Sequence, residues 1–153
     1  MQTLVSFYAL NEASTDSASA VKPEITLTAK LTYEFIQKRK RVTIICESQA
    51  QAEMLDEHLW DQPADKFIPH NLYGEGPEMG TPAQIIWQSV YSQQKQLKNK
   101  QVVICLSQSM INYNQGIGTI IDFVPNEYTL KAKARDRYKL YKQAGLQLEY
   151  NTI

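Results

Sequence analysis

The fold of this chain is constrained most strongly by two short, near-continuous apolar runs, which lie within RVTIICE at 41–47 and QVVICLS at 101–107. Neither run alternates apolar and polar residues, as a strand with one solvated face would. Continuous apolar strands are typical of parallel sheets whose two faces are both covered. Because parallel neighbours need crossover connections that are usually helices, these runs predict an α/β fold.

Other segments fit the same architecture. Further strands are predicted at TLVSFYAL, AQIIWQS, GTIIDFV and LQLEY. One helix is predicted from Pro23 to Lys40, and another begins at Ser48, a candidate N-cap, and ends at Trp60. Between 61 and 82 lie four of the six prolines and three of the six glycines, which predicts no long regular element there. We therefore predict one domain over residues 1–153, with three layers and a mostly parallel sheet between helices.

Bulk composition excludes several classes of protein. With 153 residues, 43% hydrophobic and 21% charged, the chain has the composition of a globular domain. The formal net charge of +0 argues against general coating of nucleic acid. No secretory signal and no apolar run of about 18 residues is apparent, so we expect a cytoplasmic protein without a membrane span. Cys46 and Cys105 lie in apolar runs and are interpreted as buried reduced thiols.

The sequence gives little support for catalysis or for a cofactor. GEGPEMG resembles a phosphate-binding loop, but it lacks the Lys-Ser/Thr that completes one, and its glutamates would repel phosphate. His58 and His70 have no partner residues at zinc-ligand spacing, so no metal site is predicted. An α/β enzyme that uses His70 or Cys46 remains an alternative, without a substrate to suggest.

Charge is concentrated in YTLKAKARDRYKLYKQAGL, residues 128–146. This segment holds six of the 16 basic residues and one of the 16 acidic residues. It is predicted to form a helix that ends with Gly145 at C′. At about 100° per residue, one stripe carries Lys131, Arg135, Tyr138 and Lys142, and Lys139 flanks it. A helix face that is merely solvated usually carries both positive and negative side chains. Basic side chains around an aromatic residue instead indicate an anionic partner with an apolar part, or single-stranded nucleic acid whose bases stack on the ring.

The opposite side of this helix is expected to face the sheet. Its members are Leu130, Ala134, Leu140, Tyr141 and Ala144. Arg137 falls on that apolar side, where its guanidinium either pairs with a carboxylate or extends out to solvent. Of these we favour a position in the core.

A second surface is suggested by the segment LWDQPADKFIPHNL, residues 59–72. Trp60 ends a helix, and Phe67 and Ile68 stand in a loop bounded by prolines. Large apolar residues in such positions either pack in the core or anchor a protein partner. The pattern by itself favours the core.

FYAL, KRVTIICE, LDEHLWDQPADKFIPHNLYGEGP and RDRYKLYKQAGL together resemble the chi subunit of bacterial DNA polymerase III. The resemblance covers nearly the whole chain. It implies a nucleotide-binding-like (Rossmann-like) fold without a working phosphate loop. It also implies a non-catalytic accessory subunit, without a cofactor, that is a monomer within a heteromeric complex.

Two partner sites follow from the resemblance. The acidic, phenylalanine-ended C-terminal tail of single-stranded-DNA-binding protein would occupy a site formed by Val124, Lys131, Arg135, Tyr138 and Lys139. The psi subunit, which links chi to the clamp loader, would bind Trp60, Pro63, Phe67 and Ile68, and this reverses the preference for the core. Single-stranded DNA would then be an indirect partner. Direct binding of single-stranded nucleic acid by the basic helix is the alternative.

Overall fold

A seven-stranded sheet with helices on both faces forms the centre of the computed structural model, which describes residues 3–10, 23–61, 69–72, 82–87, 101–107, 117–125 and 127–152. The strands are β1 (Leu4–Ala9), β2 (Val42–Cys46), β3 (His70–Leu72), β4 (Ala83–Trp87), β5 (Val102–Cys105), β6 (Thr119–Val124) and β7 (Gln147–Thr152). The described helices are α1 (Pro23–Gln37), α2 (Gln49–Asp61) and α3 (Tyr128–Gln143).

The strands are ordered β3-β4-β2-β5-β6-β1-β7, and every pair of neighbours is parallel. One face of the sheet packs with residues of α1 and α2, among them Ile25 and Leu55, which are fully buried. The other face packs under α3, through Ala134 and Tyr141. The predicted three-layer α/β architecture is therefore confirmed.

The two apolar runs lie at the middle of the sheet. β2 and β5 are hydrogen-bonded neighbours, and each of their residues is buried. Cys46 belongs to the core on the α1–α2 side, and Cys105 belongs to the core on the α3 side. Both thiols are free and buried, as predicted from their apolar surroundings.

The described residues of the segment rich in proline and glycine include a short strand that the sequence did not reveal. β3 spans only three residues and pairs with Ala83–Ile85 of β4. Residues 11–21 and 90–100, for which no strand or helix is predicted, lie outside the described residues. Among the helices that are described, none is long and apolar enough to cross a membrane.

Candidate functional site

Both ends of the basic helix α3 are stabilised by a capping residue. The Glu127 side chain accepts hydrogen bonds from the backbone N–H groups of Thr129, at 3.1 Å, and Leu130, at 3.0 Å. These bonds stabilise the carboxylate and lower the pKa of Glu127. Beyond the other end, Gly145 has a φ of 84°, the left-handed conformation that favours glycine. The predicted end of the helix at Gly145 is confirmed.

The buried side of α3 is narrower than the sequence pattern predicts. Ala134, Arg137 and Tyr141 are buried, with exposed fractions of 1%, 4% and 0%. Leu140 was expected to face the sheet, but it is 48% exposed. At 100° per residue it lies about 120° around the helix from Ala134, which places it beyond the contact with the sheet. Ala144 was also wrongly expected to face the sheet, and it is exposed.

Arg137 fixes α3 to the sheet through Asp122 of β6. Its Nε donates to Asp122 Oδ2 at 2.8 Å, and its Nη2 donates to Asp122 Oδ1 at 3.1 Å. Nη2 also donates to the carbonyl oxygen of Phe123 at 3.3 Å, and the Phe123 N–H donates to Asp122 Oδ1 at 2.7 Å. The prediction that Arg137 lies in the core is confirmed, with a carboxylate as its partner.

Burial and pairing act in opposite directions on these two charges. Burial raises the pKa of Asp122, and the hydrogen bonds and charge of Arg137 only partly offset this effect. Burial also opposes the charge on Arg137, but the hydrogen bonds and charge of Asp122 outweigh it and raise the pKa of Arg137. Because these hydrogen bonds hold Arg137 against β6, the bases on the other side of α3, Arg135 and Lys139, lie toward solvent.

A pocket of about 420 Å³ lies between α3 and the sheet. Its volume is within the range of roughly 300–1,000 Å³ typical of small-ligand sites. It is lined by Phe7, Ala9, Leu10, Val124, Lys131, Ala134, Arg135, Tyr138, Lys139 and Tyr150. The five residues that the family resemblance assigned to tail binding are all among them, so the structure brings that set together in one cavity: Val124, Lys131, Arg135, Tyr138 and Lys139.

The floor of the pocket is apolar and aromatic, whereas its rim is basic. Phe7 of β1 is fully buried, and its ring meets that of Tyr138 edge to face, with centroids 5.3 Å apart. Val124 of β6 is 9% exposed. Lys131 is partly buried, while Arg135 and Lys139 are exposed. This arrangement suits a ligand with an apolar group and one or more negative charges.

Sequence reasoning missed four of the ten described residues that line the pocket. Phe7, Ala9 and Leu10 belong to β1 or directly follow it, and Tyr150 belongs to β7. Their only signal in the sequence was that each lies in a predicted strand. The parallel pairing of β1 with both β6 and β7 places them under α3.

The second predicted surface is described only in part. Trp60, at the end of α2, is 60% exposed, and its ring lies 4.8 Å from that of His70, centroid to centroid. The His70 Nε2 lies 3.0 Å from Asp56 Oδ1, and the His70 side chain is fully buried. The preference for Trp60 in the core, which the sequence pattern alone had favoured, is therefore wrong. Pro63, Phe67 and Ile68 lie outside the described residues.

The candidate catalytic groups are poorly placed for chemistry. Burial raises the pKa of the Cys46 thiol to about 12 and that of Cys105 further, so neither is a nucleophile near neutral pH. His70 is enclosed beside Asp56. Within the part of the chain that the structure describes, no group of three or more His, Cys, Asp or Glu residues is placed to hold a metal ion.

Fold and pocket together define a class: a nucleotide-binding-like α/β fold that carries a basic, aromatic-lined pocket under one helix. Among solved structures, T4 UvsW has a similar fold, with a TM-score of 0.70 and 12% sequence identity. That match covers 99% of this chain and 41% of the UvsW chain, and at this identity it concerns the fold alone.

Sequence comparison gives the family. The family model described as DNA polymerase III chi subunit, HolC, matches residues 1–149. The chain is 40% identical to DNA polymerase III subunit chi of Escherichia coli K12 over 147 residues, which are 95% of each chain. It is 38% identical to subunit chi of Haemophilus influenzae over 114 residues, covering 74% of this chain and 76% of that one.

The chain therefore belongs to the DNA polymerase III chi subunit family. Membership gives it an accessory role in DNA replication, as a subunit of the polymerase complex that is not itself catalytic.

Proposed function

We propose that the pocket under α3 binds the acidic, phenylalanine-ended C-terminal tail of single-stranded-DNA-binding protein. The observation that carries the proposal is the convergence of Val124, Lys131, Arg135, Tyr138 and Lys139 on one cavity. A terminal residue with an aromatic side chain has the two properties that the cavity complements. Its ring is apolar, and its α-carboxylate is an anion.

Each part of the pocket has a role in this proposal. Arg135 holds the terminal carboxylate by charge-assisted hydrogen bonds, for which the planar guanidinium is suited. Tyr138 and Val124 contact the terminal ring. Lys131 and Lys139 attract the acidic residues that precede it. Because Arg135 and Lys139 are exposed, salt screens their contribution.

Removal of one pocket base is expected to weaken this binding. For a labelled peptide of several aspartates with a terminal phenylalanine, we expect micromolar affinity for the wild-type chain. Arg135→Ala is expected to lower the affinity about 5- to 10-fold, since one partly solvated charge-assisted hydrogen bond is lost. Lys131→Ala is expected to have a smaller effect in the same direction. Fluorescence anisotropy at fixed ionic strength measures both changes.

Lys133→Ala is the matched control, because Lys133 is an exposed base of the same helix that does not line the pocket. Its affinity for the peptide is expected to stay within about twofold of the wild type. Equal losses in Lys133→Ala and Arg135→Ala would mean that only net charge matters, and would contradict the site. Tight binding of a single-stranded oligonucleotide, with steep salt dependence, would instead support direct nucleic-acid binding.

We also propose that the surface around Trp60 binds the psi subunit, which would link coated single-stranded DNA to the clamp loader. Trp60 is 60% exposed, and tryptophan is enriched among the residues that dominate binding energy at protein interfaces. The indole ring lies beside the ring of His70, and His70 in turn contacts Asp56 of α2. Pro63, Phe67 and Ile68 are assigned to the same surface.

Trp60→Ala is expected to weaken binding of purified psi at least tenfold, the effect typical of a dominant interface residue. Met54→Ala on the same helix is the control, because Met54 is also a large exposed hydrophobic residue, at 46%. Its affinity for psi is expected to remain near that of the wild type. Isothermal titration calorimetry measures both, and an unchanged affinity for Trp60→Ala would remove Trp60 from the interface.

A further inference from the structure

Tyr150 forms a side of the pocket that neither the sequence nor the family assignment points to. In β7 it is the register partner of Phe7, the aromatic residue on the pocket floor. Side chains alternate along a strand, so Tyr150 and Leu148 share the face that packs under α3, while Glu149 points to the opposite face. Leu148 packs against the core beneath α3, and Tyr150 is 56% exposed and lines the pocket.

The position of β7 in the sheet places the Tyr150 side chain at one side of the pocket. β7 is the last strand in the sheet order, and β1 separates it from β6. Two strand spacings place β6 and β7 roughly 10 Å apart. Val124 on β6 and Tyr150 on β7 therefore lie on opposite sides of the floor formed by Phe7 and Ala9. In the sheet register Val124 is paired with Ala9 and Tyr150 is paired with Phe7, so the pocket between them runs diagonally across β1.

The basic residues of the pocket do not select the terminal side chain. Lys131, Arg135 and Lys139 recognise negative charge, which any acidic peptide supplies. Discrimination between terminal residues must come from the apolar lining. There, Ala9 and Val124 are small, and Tyr138 already contacts the ring of Phe7. Tyr150 offers a second aromatic surface, with a phenol oxygen that can remain in water.

We propose that Tyr150 is the specificity-determining residue of the pocket: its ring closes the open edge of the sheet and selects a peptide with an aromatic terminal residue over one with a small terminal residue. The proposal rests on the proposed binding of an acidic tail. It further identifies Tyr150 as the residue that discriminates between terminal side chains of that tail. The contact depends on the ring and not on the hydroxyl.

The test compares two labelled peptides that share an aspartate-rich body and end in phenylalanine or in alanine. In the full chain, Tyr150→Ala is expected to reduce the preference for phenylalanine over alanine about 3- to 10-fold, as expected for one aromatic contact. Tyr150→Phe is expected to retain the preference. Neither change alters charge, so the dependence of affinity on salt stays the same in both variants.

Tyr128→Ala is the matched control, since Tyr128 is 88% exposed and does not line the pocket. It is expected to keep the wild-type preference, and thermal unfolding confirms that each variant is folded. If Tyr150→Ala keeps the preference within twofold while Arg135→Ala still weakens binding, the role of Tyr150 is overturned and the tail site stands. If the wild-type chain binds neither peptide, both proposals are overturned.

Discussion

Replacement of Asp122 by asparagine is expected to lower the free energy of unfolding by about 3–5 kcal/mol. Asp122 is 1% exposed and Arg137 is 4% exposed, so the change leaves a guanidinium buried without a counter-charge. The side chain keeps its size, which separates the loss of charge from the creation of a cavity. Urea unfolding followed by circular dichroism measures the effect through the midpoint at constant slope.

Asp136→Asn provides the comparison, because Asp136 is an exposed acid on the same helix. Its effect is expected to stay within about 0.5 kcal/mol. The double change Asp122→Leu with Arg137→Met removes both charges, and it is expected to cost less than Asp122→Asn alone. If the double variant is less stable than the single one, the pair contributes net stability and the desolvation argument is wrong.

The strands were most clearly predictable from the sequence where they are fully buried. β2 and β5 show themselves as apolar runs, because both of their faces are covered. β3 does not, since three residues between prolines and glycines are too few to display a pattern. It exists because β4 offers it a parallel partner. The order of the strands was also not predictable, because a buried apolar run does not specify its neighbours.

The orientation of α3 was predicted in part, and the residues show why. Ala134 and Tyr141 follow the helical period and are buried as expected. Arg137 interrupted the apolar pattern, and a charge at such a position signalled a buried partner, which is Asp122. Leu140 was misplaced because hydrophobicity alone assigned it to the core. The contact between a helix and the face of a sheet covers only a narrow stripe of the helix surface.

The pocket residues that belong to α3 could be predicted from the sequence, whereas those that belong to β1 and β7 could not. Lys131, Arg135 and Tyr138 lie within one helix, where spacing alone places them on one face. Ala9 and Tyr150 are separated by most of the chain, and they meet because β1 and β7 are neighbours in the sheet. The periodicity of apolar residues within one segment does not show which strands are neighbours. These two residues could therefore be placed in the pocket only from the observed strand order.

The largest effect on binding is expected from filling the pocket with a larger side chain at Ala9. Leucine there would occupy the floor between Val124 and Tyr150, where the proposed terminal ring lies. The peptide would lose burial of that ring, about 1.5–3 kcal/mol. It would also lose the placement of its carboxylate at Arg135, about 1–1.4 kcal/mol, which corresponds to the 5- to 10-fold loss expected for Arg135→Ala. Ala9→Leu is therefore expected to weaken binding of the phenylalanine-ended peptide by about 100-fold or more in fluorescence anisotropy.

Ala9→Ser is the size control, because it adds one atom where leucine adds three, and its affinity is expected to stay within about threefold. Ala9 is partly exposed and borders open space, so leucine fills the pocket without displacing buried side chains. Binding of psi at the Trp60 surface should survive in Ala9→Leu, which separates a blocked pocket from a damaged fold. Near-wild-type affinity of Ala9→Leu for the peptide would show that the tail does not enter this cavity, because no ring can share the floor with leucine.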